Sequence, residues 1–123
     1  MRWEIEILKK EGIVSSKYSG KINYDQLIQK VSESISNGKK KGINTYLIDN
    51  RNLKSDLSVT DIYNLSRVFI EKGIYSFNKI AVIYNTKTIK NEDLSFFETV
   101  FQNQGLNLQL FTNKNQALEW LKK

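Results

Sequence analysis

Thr45-Tyr46-Leu47-Ile48-Asp49-Asn50-Arg51 is apolar through Ile48 and then turns abruptly polar. Such a run predicts a strand buried on both faces, as in the middle of a parallel sheet. The strand is expected from about Asn44 to Asp49, followed by a polar loop from Asn50 to Leu57. Lys79-Ile80-Ala81-Val82-Ile83-Tyr84 has the same character and predicts a second buried strand, with a polar loop from Asn85 to Lys90 behind it. Everything before the first run builds one flank of a sheet, and everything after it builds the other.

Toward the N-terminus, Trp3, Ile5 and Ile7 alternate with Glu4 and Glu6, and Val14, Ser16 and Tyr18 alternate with polar neighbours. Two period-2 segments across the short turn Lys9 to Gly12 predict an antiparallel hairpin, which Gly20 is expected to close. Asn23 is the expected N-cap of a helix carrying Tyr24, Leu27, Ile28, Val31 and Ile35 on one stripe. That helix stops at either Asn37-Gly38 or Gly42.

Toward the C-terminus, Ser58 with Asp61 forms a capping-box pattern. It opens a helix with Ile62, Leu65 and Phe69 inward. A third helix, capped by Asn91, carries Leu94, Phe97, Val100 and Phe101. Leu106, Leu108 and Leu110 alternate with Asn107 and Gln109 in a last strand. Thr112 or Asn113 caps a short final helix with Ala117, Leu118 and Leu121 inward and Trp120 as an anchor. Gly42-Ile43, Gly73-Ile74 and Gly105-Leu106 each pair a helix-stopping glycine with an aliphatic residue, as a left-handed C-terminal turn requires.

The order is therefore β-β-α-β-α-β-α-β-α in a single domain spanning residues 1–123. The expected α/β fold has a mixed five-stranded sheet, with the first strand antiparallel and the second to fifth parallel. Right-handed crossovers between sequential neighbours form a superhelix with the helices mainly on one face. Ile48, Leu65, Val82 and Phe97 are the expected deep core, and Phe69, Phe96, Phe101, Phe111 and Trp120 are mostly core as well. Tyr18, Tyr46 and Tyr84 fall on strands and are expected on the uncovered face, where a homodimer would cover them.

Composition narrows the chemistry. The chain has no cysteine and no histidine, which removes thiol nucleophiles, thiolate metal sites and the commonest general base. No metal or cofactor is called for, and no enzymatic activity is expected. No apolar run reaches the length of an integral membrane segment. The N-terminus carries no secretory pattern, so the cytoplasm is the expected location. The net charge of +6 comes mostly from lysine, with arginine only at positions 2, 51 and 67. Without arginine forks interleaved with aromatics, nucleic acid is not the expected partner. The cluster Lys39-Lys40-Lys41 sits where a helix end favours cations anyway.

Several stretches together resemble the SpoIIAA-like group of STAS-related proteins, whose fold is shared with the lipid-binding CRAL-TRIO domain. They are Trp3-x-Ile5, Gly20 through Leu27, Leu47-Ile48-Asp49-x-Arg51 and Lys79-Ile80-Ala81-Val82. Further on come Phe96-Phe97-Glu98-x-Val100-Phe101-x-Asn103-x-Gly105 and Phe111-Thr112 through Ala117-Leu118-x-Trp120-Leu121. The resemblance covers nearly the whole chain. It implies a non-catalytic regulatory or protein-interaction module with an unidentified protein partner. The alternative is a domain binding a small anion or lipid. STAS antagonists carry a phosphorylated serine in an Asp-Ser-Ser-Gly type turn after the central strand. This chain lacks that motif; Ser58 is nearest by position, and a cap hydroxyl accounts for it.

Ligands of open α/β sheets bind at the carboxyl edge, where helix N-termini gather. Asn50, Arg51, Lys54, Ser58, Asn85 and Lys87 are the candidate partner-binding or anion-binding residues there, with Asn23, Asp49, Thr86, Lys90, Asn91 and Thr112 at the same edge. The surface is expected to centre on the loop after Asp49. Arg51 either serves the partner or pairs with Asp49 or Asp56 and stiffens the loop.

Overall fold

The computed structural model describes residues 2–55, 57–87 and 91–123. Asp56, Lys90 and the capping side chain of Asn91, all named above, lie outside what is described. The hairpin is β1 (Arg2–Leu8) and β2 (Ile13–Ile22), paired antiparallel from Arg2↔Ser19 to Leu8↔Ile13. Then follow α1 (Tyr24–Lys40), β3 (Tyr46–Ser55), α2 (Val59–Glu71), β4 (Lys79–Ile83), α3 (Asn91–Asn103), β5 (Asn107–Phe111) and α4 (Lys114–Lys122). The sheet order is β1-β2-β3-β4-β5, and β2 through β5 are parallel.

Neighbouring residues on a strand point to opposite faces, and both faces are covered where the central strands begin. Val14, Tyr46, Ile80 and Val82 face the main core under α1, α2 and α3, with Leu27, Ile35, Leu65 and Phe101. Ile13, Leu47, Ala81 and Ile83 face the other way and meet Ala117 and Leu121 of α4. Three helices share one face because each is a right-handed crossover between adjacent strands. The last helix follows the final strand and crosses to nothing, so it was free to take the opposite face.

Helix starts follow the expected caps. Asn23 and Ser58 both form capping boxes, with Gln26 and Asp61. Asn113 caps α4 by accepting from the Gln116 N–H. Helix ends follow the glycines. Ile43, Ile74 and Leu106 donate back to the carbonyls of Gly38, Phe69 and Phe101, while Gly42, Gly73 and Gly105 donate to Lys39, Ile70 and Gln102. With positive φ at all three glycines, these are Schellman turns, each burying its aliphatic residue.

The stop of α1 is therefore Gly42, and Gly38 has another task. A Cβ on Gly38 would stand 2.8 Å from the Tyr46 hydroxyl and 3.0 Å from Val14. The glycine lets the Tyr46 ring lie against the helix. Burial raises the Tyr46 phenol to about 12, and its Oη has no hydrogen-bond partner. Between the same two layers, the Ser16 and Ser34 hydroxyls meet at 3.0 Å.

Some expectations are corrected. Tyr18 and Tyr46 are buried beneath α1, α2 and α3 and do not line an uncovered face. β2 runs on through Gly20 to Ile22, and β3 runs through Asn50 to Ser55. The polar stretch after Asp49 is mostly strand, because the last four residues of β2 pair with Asn52 to Ser55. Ile48 and Phe97 are half-buried and Phe96 is exposed.

Candidate functional site

The centre of the carboxyl edge is an irregularity in β3. Lys17 pairs with Asp49, but Ser19 pairs with Asn52, so β3 holds one residue more than β2 across this step. That is a β-bulge, which re-aims side chains locally. Asp49 holds it in place. Its Oδ1 accepts from the Arg51 backbone N–H at 3.1 Å and from Nε at 3.0 Å, and its Oδ2 accepts from the other arm of the guanidinium at 2.7 Å. Burial pushes the Asp49 carboxyl up. The Arg51 fork, its backbone N–H and the nearby charges of Arg51 and Lys17 outweigh that and leave it below the usual carboxylate range. Arg51 is thus engaged with Asp49, one of the two acids expected for it.

Across the bulge Asn50 lines a cavity of about 370 Å³ between the sheet, α2 and α3. The sheet contributes Ile48, Leu53, Val82, Leu108 and Leu110 as its floor; Leu65 and Phe69 of α2 and Phe97 and Phe101 of α3 form the walls. Phe97 stacks on Phe101 with ring centroids 4.5 Å apart, and Phe69 meets Phe101 edge-on at 5.5 Å. Ile48 and Phe97 pack against the core on one side and border this space on the other, which leaves them half-buried. Exposed Val59 and Phe96 stand at its mouth. Among the lining residues, Asn50, Tyr84 and Asp93 bring polar atoms. The Asn50 Oδ1 is buried and has no hydrogen-bond partner.

The remaining candidates lie around this edge without joining the cavity lining. Lys54 is exposed beside Lys21, its pairing partner in β2. Ser58 is engaged in the α2 capping box. Asn85 accepts the Lys87 N–H at 2.9 Å in a local turn, and Lys87 is exposed. The caps on α1, α2 and α4 occupy part of the N–H set that an anion would use. The cavity walled by α2 and α3 was anticipated only through the lipid-binding alternative, and its lining aromatics Phe69, Phe97 and Phe101 were expected as closed core. Its signal was the unusual density of aromatics in Phe96-Phe97 and Phe101, which on one helix face exceeds what a single stripe needs.

Asp49 is engaged by Arg51, Asp61 is in the α2 cap and Asp93 is exposed at the cavity. No group of three potential metal ligands occurs among the described residues.

No family model matches the chain, and no curated protein matches its sequence. Solved structures do resemble it. An uncharacterized protein of the DUF3478 family with a SpoIIAA-like fold, from Shewanella loihica PV-4, is 20% identical, with a TM-score of 0.62 over 98% of this chain and 92% of its own. The anti-sigma factor antagonist SpoIIAA in its unphosphorylated form is 15% identical, with a TM-score of 0.57 over 98% and 96%. The Bacillus cell fate determinant SpoIIAA in the phosphorylated form gives 13% and 0.52 over 97% and 98%. In fold, this chain is SpoIIAA-like.

Proposed function

We propose that the chain is a non-catalytic regulatory module that acts by binding, and that its site is the cavity at the carboxyl edge between α2, α3 and the sheet. The observation that carries this is an apolar cavity of about 370 Å³ whose mouth exposes Val59 and Phe96. Interiors normally close such space, and apolar pockets with a few polar groups are where partners and ligands seat. The first reading is a protein partner that inserts apolar side chains past Val59 and Phe96. Likeness in fold to a protein described as an anti-sigma factor antagonist supports a regulatory role of that kind. A second reading, a small apolar molecule, is favoured by the unpartnered Asn50 Oδ1, which a ligand hydroxyl or amide N–H would satisfy. Of the six candidate residues Asn50 is the one that lines the cavity, which supports assigning it to contact either occupant.

An environment-sensitive anilinonaphthalene dye tests the site directly. The native chain should bind it at one site, and Val59→Asp with Phe96→Asp should abolish that binding while the fold is retained. Unchanged dye binding in the double variant would overturn the assignment. Native mass spectrometry of the freshly purified chain then separates the readings, since a retained small-molecule mass favours the second.

A further inference from the structure

The opposite edge of the sheet collects the chain's net charge. In a parallel sheet with antiparallel helices, every helix ends at the edge where the strands begin. The hairpin turn lies there too, because β2 starts beside β3. The turn brings Lys9 and Lys10, the end of α1 brings Lys39, Lys40 and Lys41, and the end of α2 brings Lys72. The end of α4 adds Lys122 and Lys123, and β4 begins with Lys79. Against these nine lysines stand Glu11, Glu71 and Glu119. That leaves +6 on this edge, equal to the net charge of the whole chain.

Helix dipoles explain why lysines are tolerated at these ends. They do not explain what stands among them. The loop from α2 to β4 exposes Tyr75 and Phe77, at 57% and 73%, and the two rings stack with centroids 5.6 Å apart. Lys39 Nζ donates to the Gly73 carbonyl at 2.6 Å and lies 5.6 Å from the Tyr75 ring centroid, which ties this loop to the basic end of α1. Lys79 is taken up by the Trp120 and Lys123 carbonyls and holds the end of α4. Phe77 is the most exposed large apolar side chain among the described residues, and lysines flank its loop.

We propose that the amino edge docks the protein on an anionic lipid membrane, with Phe77 entering the interface and the exposed lysines other than Lys39 facing the headgroups. Charge complementarity selects a negatively charged partner. The residue types select a bilayer over nucleic acid. The cations are all lysine, which neutralises a charged plane but lacks the planar fork that reads bases and grips phosphates bidentately. The rings of Tyr75 and Phe77 stack on each other and offer no continuous platform for successive bases. A single exposed Phe among lysines matches what binds at a headgroup boundary, with apolar burial and electrostatic attraction adding. Docked this way, the cavity at the carboxyl edge points away from the membrane and stays open to a partner.

Vesicle co-sedimentation tests this with the full chain. Vesicles of equal parts phosphatidylcholine and phosphatidylglycerol should bind it, and phosphatidylcholine alone should not. Binding should weaken steeply with added salt. Replacing Lys40, Lys41 and Lys72 with Gln should lower affinity by about fivefold per lysine. Phe77→Ser should lower it by about tenfold with no change in the circular dichroism spectrum or Tm. No binding to the phosphatidylglycerol vesicles at low salt would overturn the proposal. So would equal binding to both vesicles, indifference to both variants, or tighter binding of single-stranded RNA at the same salt.

Discussion

The two edges of one sheet are finished by opposite chemistry. At the carboxyl edge the helices begin, and helix beginnings need polar caps: Asn23, Ser58 and Asn113 supply them. The layers there stay apart enough to leave an apolar cavity. At the amino edge three of the helices end, each in a glycine turn sealed by a buried Ile43, Ile74 or Leu106. That edge is closed, and what it offers a partner is charge and a protruding Phe77. In the two proposals above, recognition by concavity and recognition by field sit on opposite ends of the same scaffold. Each arises from how helix termini satisfy their free backbone groups.

The largest expected effect bears on whether the cavity wall is part of the core. Phe101 is fully buried and contacts both Phe97 and Phe69. Phe101→Ala should destabilise the fold by about 3–5 kcal/mol, through lost transfer energy and an enlarged cavity. Urea unfolding measures it. A loss under about 1 kcal/mol would mean the cavity is a surface groove with little connection to the packed interior.

Arg51→Met sharpens the same edge from the other face of the sheet. It leaves the Asp49 carboxylate buried without its partner, at a cost of about 1–3 kcal/mol near neutral pH. Because the folded Asp49 titrates below its ordinary value, its stabilising contribution is complete above the unfolded value of about 4. It is lost as pH falls through the depressed folded value. The stabilities of native and variant chains should converge in acid. A gap that persists into strong acid would assign the loss to packing of the Arg51 stem. If the variant instead keeps its stability but loses binding at the cavity, Arg51 belongs to the partner surface.

Gly38→Ala probes how tightly the amino half of the molecule is closed. The added methyl meets the Tyr46 hydroxyl at 2.8 Å and should cost about 1–3 kcal/mol. Tyr46→Phe should recover part of that loss, since Val14 and the Ile43 carbonyl remain close. Alone, Tyr46→Phe should be near neutral, because the hydroxyl it removes has no partner. Strict additivity in thermal unfolding of the double variant would show that the two sites are not coupled.

The smallest stability effect is expected where exposure is greatest. Phe77→Ser should change unfolding free energy by less than about 0.5 kcal/mol, while carrying the loss of vesicle binding described above. A large stability loss would mean that the ring is packed in solution and unavailable to a membrane.

Local chemistry made much of this molecule legible from the sequence. Capping boxes, glycine stops and period-2 hairpin strands are set by hydrogen bonds within a few residues, so Asn23, Ser58-Asp61 and Gly73-Ile74 could be placed without knowing their neighbours. With the strands taken in sequential order, the right-handed crossover rule put the connecting helices on one face. Only the tertiary structure decided that β3 continues through Asn50 to Ser55, since polar residues become a strand there by pairing with β2 beyond a bulge that Asp49 and Arg51 hold. It also decided the side of the sheet that α4 covers, because a terminal helix has no crossover to fix its face. Tyr18 and Tyr46 read as interface residues and are interior ones, because alternation says that two faces differ but not which face α1 will cover. The cavity and the basic edge have the same origin. Both are juxtapositions of residues far apart in the chain, and no local rule contains them.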